Sequence, residues 1–205
     1  MGNAKSKPSS NKRLSVNAEL EFFQFLKQYD NYSAFCGYLE QRQGMENILF
    51  LQKVSAVCQI ILKYKTLYMA SCTNDTLCNG NDCVTEIIHL KHIREIYGEY
   101  DSQIRTLAQF YKNRDNVYDI QNFKSAFTAV YKQIYDEFIG EGCANEINIS
   151  YETKKKVRNI LCSDSCNSFD DYLHLFDDTN CEIYQLLTSA YDYQFRQYLS
   201  THFSQ

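Results

Sequence analysis

The side chains best equipped for chemistry in this chain are the thiols and imidazoles between Cys72 and His92. Cys72, Cys78, Cys83, His89 and His92 are the soft donors that zinc takes, four at a time and closely spaced. Cys78 and Cys83 have four residues between them, near the spacing of a zinc pair. His89 and His92, three apart in a helical run, share a face for packing reasons alone. Loop and core thiols account for the cluster more simply, and no metal is expected. Cys162 and Cys166 lack a nearby histidine partner, and His174 fits a surface or packing role. With nine cysteines and no secretory signal, free thiols in a reducing compartment are the simplest state.

Templates for catalysis are missing. The chain has no G-x-x-x-x-G-K-[ST], G-x-S-x-G, H-E-x-x-H or G-x-G-x-x-G, so the common phosphate-binding, nucleophilic and zinc-hydrolytic arrangements are not encoded. The carboxylate pairs Asp170-Asp171 and Asp177-Asp178 stand at expected helix starts, where the helix dipole explains them. The expectation is a binding protein, not an enzyme, with no cofactor. One covalent modification is signalled. Met1-Gly2-Asn3-Ala4-Lys5-Ser6 fits M-G-x-x-x-[ST], which places a myristoyl group on Gly2. One acyl chain holds a membrane only marginally. Lys5, Lys7, Lys12 and Arg13, with no acid before Glu19, supply a second signal of about 1 kcal/mol per charge near anionic lipid. No cysteine precedes Cys36, so dual acylation is not expected there.

The elements that would position a surface follow from composition and period. A chain of 205 residues with 44% hydrophobic and 15% aromatic side chains can bury a sizeable core in one domain or at most two. One proline and seven glycines are too few for the turns of an all-β protein, and repeated 3.6-residue stripes point to an all-α fold. A net charge of −4 argues against nucleic acid as partner. No apolar run long enough to span a bilayer and no signal-peptide core are expected.

A flexible basic tail over 1–17 leads into a helix from Ala18 to Tyr32 carrying Leu20, Phe23, Leu26 and Lys27. A short amphipathic segment over Phe35–Leu39 meets a polar joint at Gln41-Arg42-Gln43-Gly44. Met45 then opens a long helix whose stripe is Phe50, Val54, Val57, Ile61, Tyr64 and Tyr68. Polar Glu46 and Asn47 sit where two apolar runs meet, which makes them the first candidates for a working surface. Ser71–Asp82 has loop composition, with a turn signal at Asn79-Gly80. One or two helices follow over Val84–Lys112, with Gly98 as a candidate bend, and Asn113–Asn122 is a second joint. A helix over Asn122–Phe138 ends at Gly140-Glu141-Gly142. In the loop Cys143–Ser150, alternation points Ile147 and Ile149 inward and Asn148 outward. Ser150 is expected to cap Tyr151–Leu161 and Ser168 to cap Phe169–Leu175. Thr179 and Glu182 have the spacing of a capping box opening the last helix, which runs to about Leu199.

Three blocks in order resemble the regulator of G-protein signalling (RGS) domain. Ala34-Phe35-Cys36-Gly37-Tyr38-Leu39 and Glu46-Asn47-Ile48-Leu49-Phe50 are similar to its A-F-x-x-F-L and E-N-I/L-x-F-W. Ile134-Tyr135-Asp136-Glu137-Phe138-Ile139 and Glu146-Ile147-Asn148-Ile149 are similar to I-Y-x-x-F-I and E-I-N-I/L. Phe169-Asp170-Asp171 and Ile183-Tyr184-Gln185-Leu186-Leu187 are similar to F-D-x-A-Q-x-x-I/V-Y-x-L-M. The resemblance implies an RGS-like bundle of about nine helices over 18–203, with an extra helical insertion at about 72–120. It also implies a GTPase activator that grips the switch segments of an activated Gα subunit in their transition-state arrangement and adds no chemical group itself. Glu46 and Asn47 would touch one switch, and Asn148 would reach toward the Gln that orients water. The implied location is the cytoplasmic face of the plasma membrane, peripheral and partly cytosolic. Gly44 stands where the family has Ser, Met45 where it has Glu, Leu51 where it has Trp, and Ser150 where it often has Asp. The family's late Asp–Arg pair falls on Ala190 and Gln194 without a gap, or on Asp192 and Arg196 with an insertion. A non-catalytic RGS-like scaffold is the alternative.

Overall fold

The computed structural model describes residues 21, 22, 24–72, 90–109, 120–163 and 165–202. The tail with Gly2, Lys5, Lys7, Lys12 and Arg13, the Asn79-Gly80 turn, and Cys78, Cys83 and His89 lie outside the described residues. Among those described, every regular element is a helix. In order they are α1 (Tyr29–Gln41), α2 (Met45–Cys72), α3 (Leu90–Gln109), α4 (Ile120–Phe138), α5 (Tyr151–Ser163), α6 (Phe169–Leu173) and α7 (Asp177–Ala190). A π-helical turn (Tyr191–Phe195) carries α7 into α8 (Arg196–His202).

The bundle is built around α2. Ile48, Phe50, Leu51, Val54, Val57, Ile60, Ile61 and Tyr64 are all buried, and they circle more of the helix than one stripe could. That is what a helix packed on several sides requires, and α1, α3, α4, α6 and α7 all lie against it. The segment Met45–Met69 is in fact long and apolar enough to cross a membrane by length and composition, against the sequence expectation. In the protein, 56% of that apolar window is buried.

Aromatic rings join the neighbours to α2 at separate nodes. Phe50 meets Phe138 of α4 edge-on at 5.8 Å and Phe176, before α7, at 5.5 Å. Further along, Tyr64 packs on Phe123 at 4.3 Å, and Phe127 meets Tyr172 of α6 at 5.4 Å. Each such pair adds about 0.5–1.5 kcal/mol beyond area burial. The fully buried Tyr131 hydroxyl donates to the Tyr172 carbonyl at 2.8 Å, so this ring leaves no orphan donor.

The first helix differs from expectation. A helical turn ends near Leu26, and α1 starts afresh at Tyr29 and runs unbroken to Gln41. The break therefore falls at Lys27-Gln28, not at Tyr32-Ser33. Asn31 holds it, donating to the Phe25 carbonyl at 3.3 Å and to Gln28 Oε1 at 3.0 Å. Tyr32, Phe35, Tyr38 and Leu39 are buried on one continuous face of α1. The break lets Phe22 fold back onto Phe35 at 5.4 Å and onto Tyr191 at 5.3 Å, closing the N-terminal segment on the C-terminal rod.

The segment between α2 and α4, set apart above as an insertion, contributes core through its described part. In α3, Tyr100 and Ile104 are buried, and the helix passes Gly98 without interruption. Lys63 Nζ donates to Asp101 at 3.0 Å, and Arg105 Nε does so at 2.8 Å. Burial opposes ionisation of Asp101, but the two cations and their hydrogen bonds outweigh it and hold the carboxyl below its ordinary 3.8.

Candidate functional site

The corner between α1 and α2 is a Schellman cap with an unusual occupant. The Gly44 amide donates to the Leu39 carbonyl at 3.0 Å and the Gln43 amide to the Glu40 carbonyl at 3.3 Å, the paired bonds of that motif. The left-handed position belongs to Gln43, with φ 55°, where glycine is the usual residue. The glycine stands one place later for a different reason. A Cβ on Gly44 would meet Leu39 Cδ2 at 3.3 Å, so the buried Leu39 side chain would have to yield. Gln43→Gly should raise stability by about 0.5–1 kcal/mol, since relief of about 1–2 kcal/mol of left-handed strain outweighs the roughly 0.4–1 kcal/mol of chain entropy that glycine adds to the unfolded state. Urea denaturation checks it, and a loss of stability would show that Gln43 is held there by something more than the turn.

Asn47 sits in the first turn of α2 and is 9% exposed. Its Nδ2 donates to Glu46 Oε1 at 3.0 Å and to the Gly44 carbonyl at 3.4 Å. Both partners are acceptors, which fixes the amide's orientation and turns Oδ1 away from them. That Oδ1 is buried and has no hydrogen-bond donor. An unmet acceptor of this kind costs about 1–3 kcal/mol. Glu46, half-buried beside it, keeps one carboxylate oxygen on the Asn47 amide.

Phe50 and Lys53, four and seven residues after Glu46, share its face of α2. Lys53 Nζ donates to Glu137 at the end of α4 at 2.7 Å, and Asn145 Nδ2 reaches the same carboxylate at 3.5 Å. These contacts bring the loop after α4 to the corner's end of the bundle. Gly142, with φ 72°, turns that loop. Its amide donates to Glu146 at 3.1 Å, and Lys154 of α5 pairs with the same carboxylate. The hydrogen bond from Lys154 comes first among the causes that hold Glu146 below its ordinary 4.5.

Asn148 is then presented on a tight turn. The Ile147 amide donates to the Phe138 carbonyl at 2.8 Å, and the Ile149 amide donates to the Ile147 carbonyl at 3.1 Å. The second bond closes a three-residue γ-turn with Asn148 at its apex. Ile147 and Ile149 are buried on either side while Asn148 is exposed, as the alternation predicts.

The anchor after this turn comes from a helix the sequence assigned elsewhere. Ser150 Oγ accepts from the Thr153 amide at 3.3 Å, the expected cap of α5. Glu182 of α7 caps the same end from outside. It accepts from the Ser150 amide at 2.6 Å, from Ser150 Oγ at 2.8 Å and from the Thr153 hydroxyl. The Thr179–Glu182 capping box is therefore not formed. α7 begins at Asp177, and Thr179 is fully buried inside its first turn with an unpartnered hydroxyl. Thr179, Ile183 and Leu187 are spaced four apart and all buried, a signal that Thr179 is a core position. At Ser168 the capping box does form, with Asp171.

The late residues group differently. Asp192 and Arg196 pair with each other at 3.7 Å across the π turn, and Arg196 also reaches Glu21 at 3.9 Å. Gln194 instead accepts from the Tyr38 hydroxyl at 2.9 Å, and Arg42 lies over that Tyr38 ring at 5.5 Å. Of the two registers, it is the ungapped residue Gln194 that faces the α1 end of the corner. No contact among the described residues joins Asp192 or Arg196 to Gly44, Glu46, Asn47 or Asn148.

Cys36, Cys143, Cys162 and Cys181 are free thiols, and burial comes first among the causes that push the Cys36 and Cys143 thiols up. No metal-ligating group of three or more side chains occurs among the described residues. No family model, curated protein or solved structure matches the chain.

Proposed function

We propose that this chain is an RGS-like regulator that binds activated Gα subunits and accelerates their GTP hydrolysis by holding the switch segments. The observation that carries the reading is the shared end of the bundle. There exposed Asn148 projects from a γ-turn braced by Ile147 and Ile149, and that turn hangs from Phe138, whose ring meets Phe50 one turn beyond Glu46 on the same face of α2. A switch backbone offers amide donors for the half-buried Glu46 carboxylate and acceptors for the exposed Asn148 amide. Both surfaces are rigidly supported, which suits stabilisation of a transition-state arrangement rather than chemistry by the protein. A myristoyl group on Gly2 and the basic tail would tether the chain beside lipid-anchored Gα and raise its effective concentration.

The scaffold alternative draws on one observation. Arg196 is turned to Asp192 and Glu21, not to the corner, so the family's late Asp–Arg support for the contact loops is replaced or absent.

Asn148→Ala combined with Glu46→Lys should weaken binding to a GDP–aluminium-fluoride Gα at least tenfold, roughly one charge-assisted contact, with helicity unchanged. Pull-down or surface-based affinity measurements read this, and an unchanged affinity would place the contact surface elsewhere. For the tether, a Gly2→Ala variant that still pellets with membranes would rule out myristate as the anchor.

A further inference from the structure

A cleft of about 290 Å³ opens between the end of α4 and the first two turns of α5. Its α5 wall is formed by Tyr151, Lys154, Lys155 and Arg158, which recur at steps of three and four and so share one helix face. Opposite them stand Tyr135 and the chain around Gly140, with Glu141 as the one carboxylate lining the cleft.

The cations of this stretch divide into two sets. Lys154 is committed to Glu146, and Lys156 points away to Asp178. Lys155 and Arg158 are exposed and have no ion-pair partner among the described residues. Tyr151, 66% exposed, stands on the same face one turn before Lys155. Two unneutralised cations beside an exposed ring and a cavity are not needed for folding, because buried or paired groups do that work elsewhere on α5.

We propose that this cleft binds a phosphate-bearing headgroup, with Lys155 and Arg158 as its ligands and Tyr151 as its wall. The planar guanidinium of Arg158 offers a fork of donors to two phosphate oxygens, and Lys155 adds a mobile point charge. Glu141 on the opposite lip repels anions, so a ligand must carry enough charge, or more than one phosphate, to be held. The headgroup could come from a phosphorylated inositol lipid or from its soluble counterpart. This inference does not depend on recognition of Gα.

The test uses the full chain and the double variant Lys155→Glu, Arg158→Glu, both of whose sites are exposed. Inositol hexakisphosphate and inorganic phosphate are titrated by calorimetry at physiological salt. Phosphatidylcholine vesicles carrying phosphatidylinositol bisphosphate are compared by flotation with phosphatidylserine vesicles of equal charge. Far-ultraviolet circular dichroism confirms that the variant stays folded. The expected result is saturable binding of one inositol hexakisphosphate, or selective binding of the phosphoinositide vesicles, reduced at least tenfold in the variant. Binding to the soluble probe identifies a soluble ligand as sufficient, and binding to the vesicles alone identifies a lipid. No saturable binding to any probe, or a reduction of less than tenfold, would overturn the proposal. In the latter case the basic tail, unchanged in the variant, would account for the attraction.

Discussion

Phe50→Ala should cost the fold about 4 kcal/mol, within the usual range for a fully buried phenylalanine. Phe50 has no exposed surface and touches two rings at once, Phe138 closing α4 and Phe176 preceding α7. Truncation leaves a cavity that neither ring can fill without dragging its helix. Against a typical total stability of about 5–15 kcal/mol, that loss would unfold a measurable fraction of the protein. Phe50→Leu keeps most of the volume and should cost less than about 1.5 kcal/mol. Urea denaturation of the two variants separates these values. A Phe50→Ala penalty near that of Leu would mean that α2 is not the wedge between α4 and α7. The site should suffer as well, because the Asn148 turn hangs from the Phe138 carbonyl through the Ile147 amide.

Glu182→Ala should cost about 2 kcal/mol, as three hydrogen bonds to one carboxylate are lost and the α5 end is left partly uncapped. The buried Thr153 hydroxyl keeps only its neighbour Ser150. The effect carries a pH signature. Burial opposes ionisation of Glu182, but hydrogen bonds from Thr153 and Ser150 outweigh it, and the carboxyl lies below its ordinary 4.5. A depressed carboxylate stabilises the fold fully above its unfolded pKa, and the contribution disappears as pH falls through the folded value. The gap between wild type and Glu182→Ala should therefore be constant near neutrality and narrow below about pH 4.5. Hydrogen exchange at Ile147 and Ile149 should also quicken in the variant. A pH-independent difference, or unchanged exchange in that loop, would show that Glu182 does not brace Asn148.

The long-period features of this chain are legible in its sequence, and the handovers between elements are less so. The α2 stripe is apparent because burial repeats every three or four residues over about five turns. The Asn148 turn is apparent because Ile147 and Ile149 alternate with a polar residue. Ser150 and Ser168 behave as caps because their bonds are local. Thr179-x-x-Glu182 has the same local pattern, yet its glutamate is taken by a helix end about thirty residues earlier. A side-chain spacing cannot tell a cap in its own helix from one made across the bundle. The break at Lys27-Gln28 depends on Asn31 and on Phe22 returning to Tyr191, again a tertiary demand. The π turn adds a residue to one helical turn, and an ungapped reading of that stretch has no way to assign Gln194 and Arg196 to their separate partners.

GTPase activation would act through one end of the bundle, where Asn148 is exposed and Glu46 is half-buried beside the buried Asn47. Single-turnover GTP hydrolysis by Gα subunits from the protein's own source, with and without the full chain, tests it most directly. Acceleration of roughly tenfold or more, a barrier lowered by about 1.4 kcal/mol, is expected from the wild type and is lost in Asn148→Ala. No acceleration with any such Gα, in wild-type protein that is folded and helical, would contradict it.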